Sequence, residues 1–77
     1  MRFGIWLPVY GGWLRSRDTD PGIDVAACIR TATLAEAAGY DFLYASENLL
    51  NPIHGPEARV IDAWSLLAAI APMTRRI

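Results

Sequence analysis

The sequence predicts an α/β fold in which parallel strands alternate with helices. Two short apolar runs are each followed by a long loop and then a helical pattern, which gives the order β-α-β-α. Each predicted helix ends in a short turn. This arrangement suits a (β/α)8 TIM barrel, whose functional sites are built from the loops after the strands. On periodicity alone, a doubly wound parallel sheet fits equally well.

The chain length predicts a partial domain. At 77 residues the chain is shorter than the usual domain of about 100–150 residues. Residues 74–77 are polar and then apolar, so a third strand is expected to begin where the sequence stops. We therefore expect residues 1–77 to form one partial domain, which supplies the first two and a half β/α units of an incomplete barrel.

The first predicted strand lies within residues 2–8. This run is almost continuously apolar and is closed by Pro8, which is typical of a parallel strand buried on both faces. Residues 9–22 contain three glycines, Pro21 and several small polar residues, so they predict a long loop. Loops of that length are often functional.

A helix and a second strand follow this loop. Asp24 can cap the helix, and Gly39 is expected to end it. Residues 40–45 form a short aromatic and apolar run, which predicts the second strand of a parallel β-α-β crossover. One buried stripe is predicted on the helix from residues at three- and four-residue spacing, namely Val25, Cys28, Ile29, Ala32 and Ala35.

A second loop and a second helix complete the pattern. Residues 46–59 are rich in asparagine, proline and glycine and predict a loop. Asp62 can cap the helix that follows, and Pro72 is expected to mark its end. We interpret Trp64, which lies beside leucines in this helix, as a packing residue, and Cys28 in the first helix as a core residue.

Composition excludes several classes of function. Hydrophobic residues make up 53% of the chain and charged residues 19%, which excludes a disordered tail. Seven arginines and eight acids give a net charge of −1, so a basic footprint for nucleic acid is absent. The N-terminal apolar run is too short for a signal peptide or a membrane span, which predicts a cytoplasmic protein. One cysteine and one histidine cannot supply a typical zinc site, so no metal is expected.

Three segments together resemble one enzyme family. They are residues 3–8 with residues 12–14 just downstream, residues 35–42, and residues 62–77. Their order and spacing resemble the luciferase-like monooxygenases, flavin-dependent (β/α)8 enzymes that act on small organic substrates. Members of the family run to several hundred residues, so the resemblance implies that most of the barrel lies beyond Ile77. The family's phosphate-binding and later catalytic positions would lie there too, and the catalytic residues are therefore unassigned.

The resemblance implies a cofactor and partners. Reduced FMN would react with O2 to oxygenate the substrate, and a separate NAD(P)H-dependent flavin reductase would supply the reduced flavin. An oxidoreductase of the same superfamily that uses the deazaflavin F420 is the alternative within enzymes. At full length, the protein is expected to form a homo-oligomer. Alkanesulfonate enzymes carry a cysteine where this sequence has Val60, which argues against a sulfonate substrate.

The resemblance also implies where the flavin is bound. In the pyrimidine branch of the family the end of the second strand touches the flavin, which carries over here to Glu47 and Asn48, with Ser46 as their neighbour on the same rim. Pro8 and Tyr10 follow the first strand, where a barrel has its active site, and are expected to wall the flavin or substrate pocket. Strand termination and aromatic packing are the alternative for these two residues.

His54 is a further candidate, because an imidazole titrates near neutral pH and can act as a general acid or hydrogen-bond donor. A histidine on a surface loop is the alternative to that role.

A non-catalytic interpretation stands beside the enzyme. Two parallel strands leave exposed edges, and ordering the chain costs about 1.5 kcal/mol per residue, which a small core offsets poorly. The chain would then be a non-catalytic fragment or a self-associating β-α-β-α module. In either case, we expect the isolated chain to be inactive and to lack a complete cofactor site.

Overall fold

The order of strands and helices agrees with the sequence pattern. A computed structural model describes residues 1–9, 25–52 and 55–77. Asp24, Tyr10 and His54, and most of the first predicted loop, lie outside the described residues. The chain forms the strand β1, the helix α1, the strand β2, the helix α2 and a short 3-10 helix. Their bounds are Gly4–Trp6, Val25–Ala37, Phe42–Tyr44, Ala63–Ile70 and Ala71–Met73, in that order.

The two strands form a parallel pair, as predicted. Gly4 pairs with Phe42 and Trp6 with Tyr44. Backbone hydrogen bonds extend the pairing at both ends, from the Asp41 N–H to the Phe3 carbonyl at 2.7 Å and from the Leu7 N–H to the Tyr44 carbonyl at 2.8 Å. Each strand is three residues long. The apolar run of the sequence is longer than the strand in both cases, since it continues past the residues that pair.

The prediction that strand one is buried on both faces is wrong for this chain. Side chains alternate between the two faces of a sheet. Leu43 packs against the core beneath the helices, whereas Trp6 and Tyr44 remain 52% and 47% exposed. The two helices cover one face of the sheet, so the opposite face presents aromatic side chains to solvent.

Helix α1 ends as the sequence predicted. Gly39 has φ +90°, a left-handed conformation that glycine adopts without a steric penalty. Its N–H donates to the Glu36 carbonyl at 3.1 Å, and the Tyr40 N–H donates to the Ala35 carbonyl at 3.0 Å. These two bonds form a Schellman motif, which satisfies the last carbonyls of the helix and turns the chain into β2.

The predicted buried stripe of α1 is confirmed except at its start. Cys28, Ala32 and Ala35 are buried and Ile29 is partly buried against the core. Val25 is exposed, one turn before Cys28. The burial of Cys28 confirms its interpretation as a core residue. In the part of the chain that the structure describes, the core joins the end of β1 to both helices through the buried side chains of Leu7, Val9, Cys28, Ala32, Leu66 and Ile70.

The start of helix α2 is fixed by its cap and by strand one. As predicted, Asp62 is the N-cap, and its carboxylate accepts hydrogen bonds from the Ser65 N–H at 2.8 Å and the Ser65 hydroxyl at 2.7 Å. These bonds from Ser65 lower the pKa of Asp62. One residue earlier, the Ile61 N–H donates to the Val9 carbonyl at 2.8 Å. The first turn of α2 is thereby held beside the C-terminal end of β1.

The segment after α2 is attached to the C-terminal end of α1, chiefly by the carboxylate of Glu36. Oε2 of Glu36 accepts three consecutive backbone N–H bonds, from Arg75 at 2.9 Å, Arg76 at 2.7 Å and Ile77 at 3.0 Å. The guanidinium of Arg76 donates to the carbonyls of Glu36 and Tyr40. Bonds from three N–H groups to one oxygen favour the ionised carboxyl. They lower the pKa of Glu36 from its ordinary 4.5 to about 2.

Glu36→Gln is expected to reduce the acid sensitivity of the fold. The pKa of Glu36 is lower in the folded chain than in the unfolded one, so its stabilising contribution is fully present above about pH 4.5 and is lost as the pH falls towards about 2. The free energy of unfolding should therefore fall less over this range in the variant than in the wild type. Urea unfolding at a series of pH values measures the difference. Glu57→Gln, a change to an exposed loop acid, is the matched control, and parallel profiles for wild type and Glu36→Gln would contradict the prediction.

Candidate functional site

An open cleft lies at the C-terminal end of strand β2. Its volume is about 370 Å³, within the range of roughly 300–1,000 Å³ typical of small-molecule sites. The carboxyl ends of parallel strands meet at the same edge of a sheet, which is where such folds bind ligands. Within the described ranges, the residues that line the cleft are Trp6, Tyr44, Ala45, Ser46, Glu47, Asn48 and Pro52.

The three residues predicted to bind the cofactor lie together in this cleft. Ser46, Glu47 and Asn48 follow β2 directly and line one side of it. Pro8 does not line the cleft: it is half-buried, and its carbonyl faces the Cys28 thiol at 3.9 Å. Tyr10 lies outside the described residues, as does His54, so the roles of these two residues stay predictions.

An aromatic wall forms the other side of the cleft. The rings of Trp6 and Tyr44 are stacked, with centroids 4.8 Å apart and an interplanar angle of 30°. Phe42 meets Tyr44 edge to face at 5.2 Å. Sequence reasoning missed Trp6 and Tyr44 as site residues. Both are the last residue of their strand, so a parallel register that pairs the strand ends would have identified them.

Glu47 provides the negative charge of the cleft. Among the described lining residues it is the one charged side chain. Its Oε2 accepts a hydrogen bond from the Trp64 indole N–H of helix α2 at 3.3 Å. Trp64 is 71% exposed, so its interpretation as a packing residue is wrong. Residues 63, 66 and 70 form the buried face of α2, and Trp64 projects from a different face.

The loop after the cleft is held by a buried amide. Asn51 is buried, and its Nδ2 donates to the Arg59 carbonyl at 2.7 Å. An antiparallel bridge also joins Asn51 to Gly55. A buried amide with hydrogen-bond partners restricts the backbone around it. Pro52, the next residue, is thereby held at the edge of the cleft.

The chemistry available in the cleft is suited to binding a polar-edged aromatic molecule. The Ser46 hydroxyl and the Asn48 amide can both donate and accept hydrogen bonds, whereas the Glu47 carboxylate accepts. The stacked rings offer an apolar surface beside these groups. No group of three His, Cys, Asp or Glu side chains that could hold a metal ion occurs within residues 1–9, 25–52 and 55–77.

Comparison with known protein families identifies the family. The family model described as luciferase-like monooxygenase matches residues 1–77. The chain belongs to the luciferase-like monooxygenases. A search of curated protein sequences found no significant match. In the described part of this luciferase-like chain, no helix is long and apolar enough to cross a membrane. Luciferase-like monooxygenases commonly use a flavin or F420.

Proposed function

We propose that this chain supplies part of the flavin site of an FMN-dependent monooxygenase, which uses reduced flavin and O2 to oxygenate a small organic substrate. The single observation that supports the proposal most is the cleft after β2. It combines the stacked Trp6 and Tyr44 rings with Ser46, Glu47 and Asn48. The membership of the family supports the class of reaction.

The residues of the cleft fit the ring system of a flavin. An isoalloxazine is a planar aromatic with a polar edge of N–H and carbonyl groups. Trp6 and Tyr44 would contact its apolar part, while Asn48 and Ser46 can each serve a donor or an acceptor on its edge. Glu47 would accept a hydrogen bond from an N–H group. When bound, FMN supplies the activation of oxygen, and the protein binds and orients the ring and excludes water.

The exposed aromatic face supports a barrel. Trp6, Phe42 and Tyr44 lie on the sheet face opposite the helices. In a (β/α)8 barrel that face is the interior, which side chains from all strands fill in layers. We propose that this chain provides the first two and a half units of such a barrel. By resemblance to the family, a separate NAD(P)H-dependent reductase would supply the reduced flavin. The full-length protein would form a homo-oligomer.

Binding of FMN to the chain tests the proposal. Because two strands provide a partial site, we expect weak, saturable binding of FMN with a Kd in the millimolar range. NMR titration of the chain with FMN measures this binding. The amide resonances of residues 44–48 and the Trp6 indole resonance should shift, whereas the amide resonances of Ala71 and Met73 should not. Trp6→Leu removes half of the aromatic wall and should weaken the binding.

Three outcomes decide between the candidates. Shifts at the cleft with FMN support the monooxygenase proposal. Shifts at the same residues with F420, and none with FMN, would replace it by a deazaflavin-dependent oxidoreductase. Absence of shifts with both cofactors, or shifts remote from the cleft, would contradict the proposal and favour a non-catalytic module.

A further inference from the structure

We propose that Trp64 is a positioning residue for Glu47. Its indole N–H holds the Glu47 carboxylate at the cleft, so that the carboxylate is oriented towards the N–H edge of a flavin before the flavin binds. This inference rests on the proposed function, because it concerns the same cleft. It adds a residue of helix α2 to a site otherwise formed by the strand ends and the loop after β2.

The exposure of Trp64 is the first observation in support. Trp64 is 71% exposed although it lies in an apolar helix beside core leucines. Its ring therefore contributes little to the core, and its contact with Glu47 spans 17 residues of sequence. An indole has a donor and no acceptor, whereas a carboxylate has acceptors only, so the two groups are complementary.

The rigidity of the helix start is the second observation. Trp64 lies two residues after the N-cap Asp62, in the turn that the Ser65 bonds close. The Ile61 N–H bond to the Val9 carbonyl joins that turn to the end of β1. The indole thus projects from a turn with a fixed backbone, while Glu47 lies on an exposed loop.

Positioning matters because Glu47 is exposed and long. A free glutamate side chain loses rotamer entropy when a ligand fixes it, and a bond that fixes it beforehand removes part of that cost. The indole contacts Oε2. Oε1, the other carboxylate oxygen, is then the one that would accept a bond from the ligand.

A double-mutant cycle on flavin binding tests this role. Trp64→Phe keeps an aromatic ring and removes the N–H, and Glu47→Ala removes the carboxylate. Trp64→Phe alone should raise the Kd for FMN about threefold, as expected for the loss of one exposed hydrogen bond. In the Glu47→Ala background, the same change should leave the Kd unaltered. Glu57→Ala, an exposed acid of the same loop outside the cleft lining, is the matched control.

A spectroscopic measurement without flavin complements the cycle. The Trp64 indole N–H resonance, identified by its loss in Trp64→Phe, should move in Glu47→Ala and stay in place in Glu57→Ala. The backbone resonances of α2 serve as the check that each variant is folded.

Each outcome has a distinct meaning. An effect of Trp64→Phe that depends on Glu47, together with the indole shift, supports the positioning role. The positioning role would be overturned by an equal effect in both backgrounds, by no effect on the Kd, or by an unmoved indole resonance. In each of these cases, binding of FMN to the wild type would still support the proposed function. If the wild type shows no FMN binding at the cleft, the proposed function fails and the positioning role fails with it.

Discussion

Leu66→Ala is expected to unfold much of the protein at room temperature. Leu66 is 2% exposed and belongs to the core that joins β1 to both helices. Truncating a buried leucine to alanine costs about 2–5 kcal/mol, since the transfer free energy of the removed atoms is lost and a cavity remains. A core of this size rarely supplies more than about 3–5 kcal/mol. The loss is therefore comparable to the whole stability.

Urea unfolding, followed by far-UV circular dichroism and tryptophan fluorescence, measures this effect. Leu34→Ala is the matched control, because Leu34 is also helical but is 68% exposed. It should change the free energy of unfolding by less than about 0.5 kcal/mol, as is usual for surface substitutions. Similar losses in the two variants would show that the burial of Leu66 does not determine the stability of this core.

The features of the fold that the sequence predicted correctly are those that depend on short segments of the chain. The Asp62 cap and the Gly39 helix end each depend on neighbours within a few residues, so the sequence pattern suffices to identify them. The order of strands and helices follows from the same local periodicities. The family was also identified from the sequence, because the spacing of three segments carries more information than any one of them.

Features that depend on distant partners could not be predicted. The Glu36 carboxylate meets the backbone of residues 75–77 about 40 residues along the chain, and no local pattern indicates that contact. The position of Trp6 in the cleft depends on the register of two strands. Trp64 was misinterpreted for a different, local reason. Its sequence neighbour Leu66 lies on the buried face formed by residues 63, 66 and 70, and position 64 is not on that face.

Gly4→Ala is expected to destabilise the protein by about 1–3 kcal/mol, the usual cost of forcing an extra carbon into space that a side chain already occupies. A Cβ on Gly4 would overlap the Cδ2 and Cε2 atoms of the Phe42 ring, which lies directly over the strand. Elsewhere, replacing glycine by alanine at an ordinary φ stabilises by about 0.4–1 kcal/mol, because the unfolded chain loses freedom. Steric overlap reverses that sign here.

A cycle with Phe42→Leu separates these two effects and connects the fold to the cleft. In the Phe42→Leu background the added methyl has more room, so Gly4→Ala should cost much less than it does in the wild type, whereas equal costs would contradict the steric explanation. Phe42 also packs edge to face on Tyr44, which stacks on Trp6. A displaced Phe42 ring should therefore shift the Trp6 indole resonance and weaken FMN binding. The absence of a side chain at Gly4 would then matter both for the packing of the sheet and for the shape of the aromatic wall.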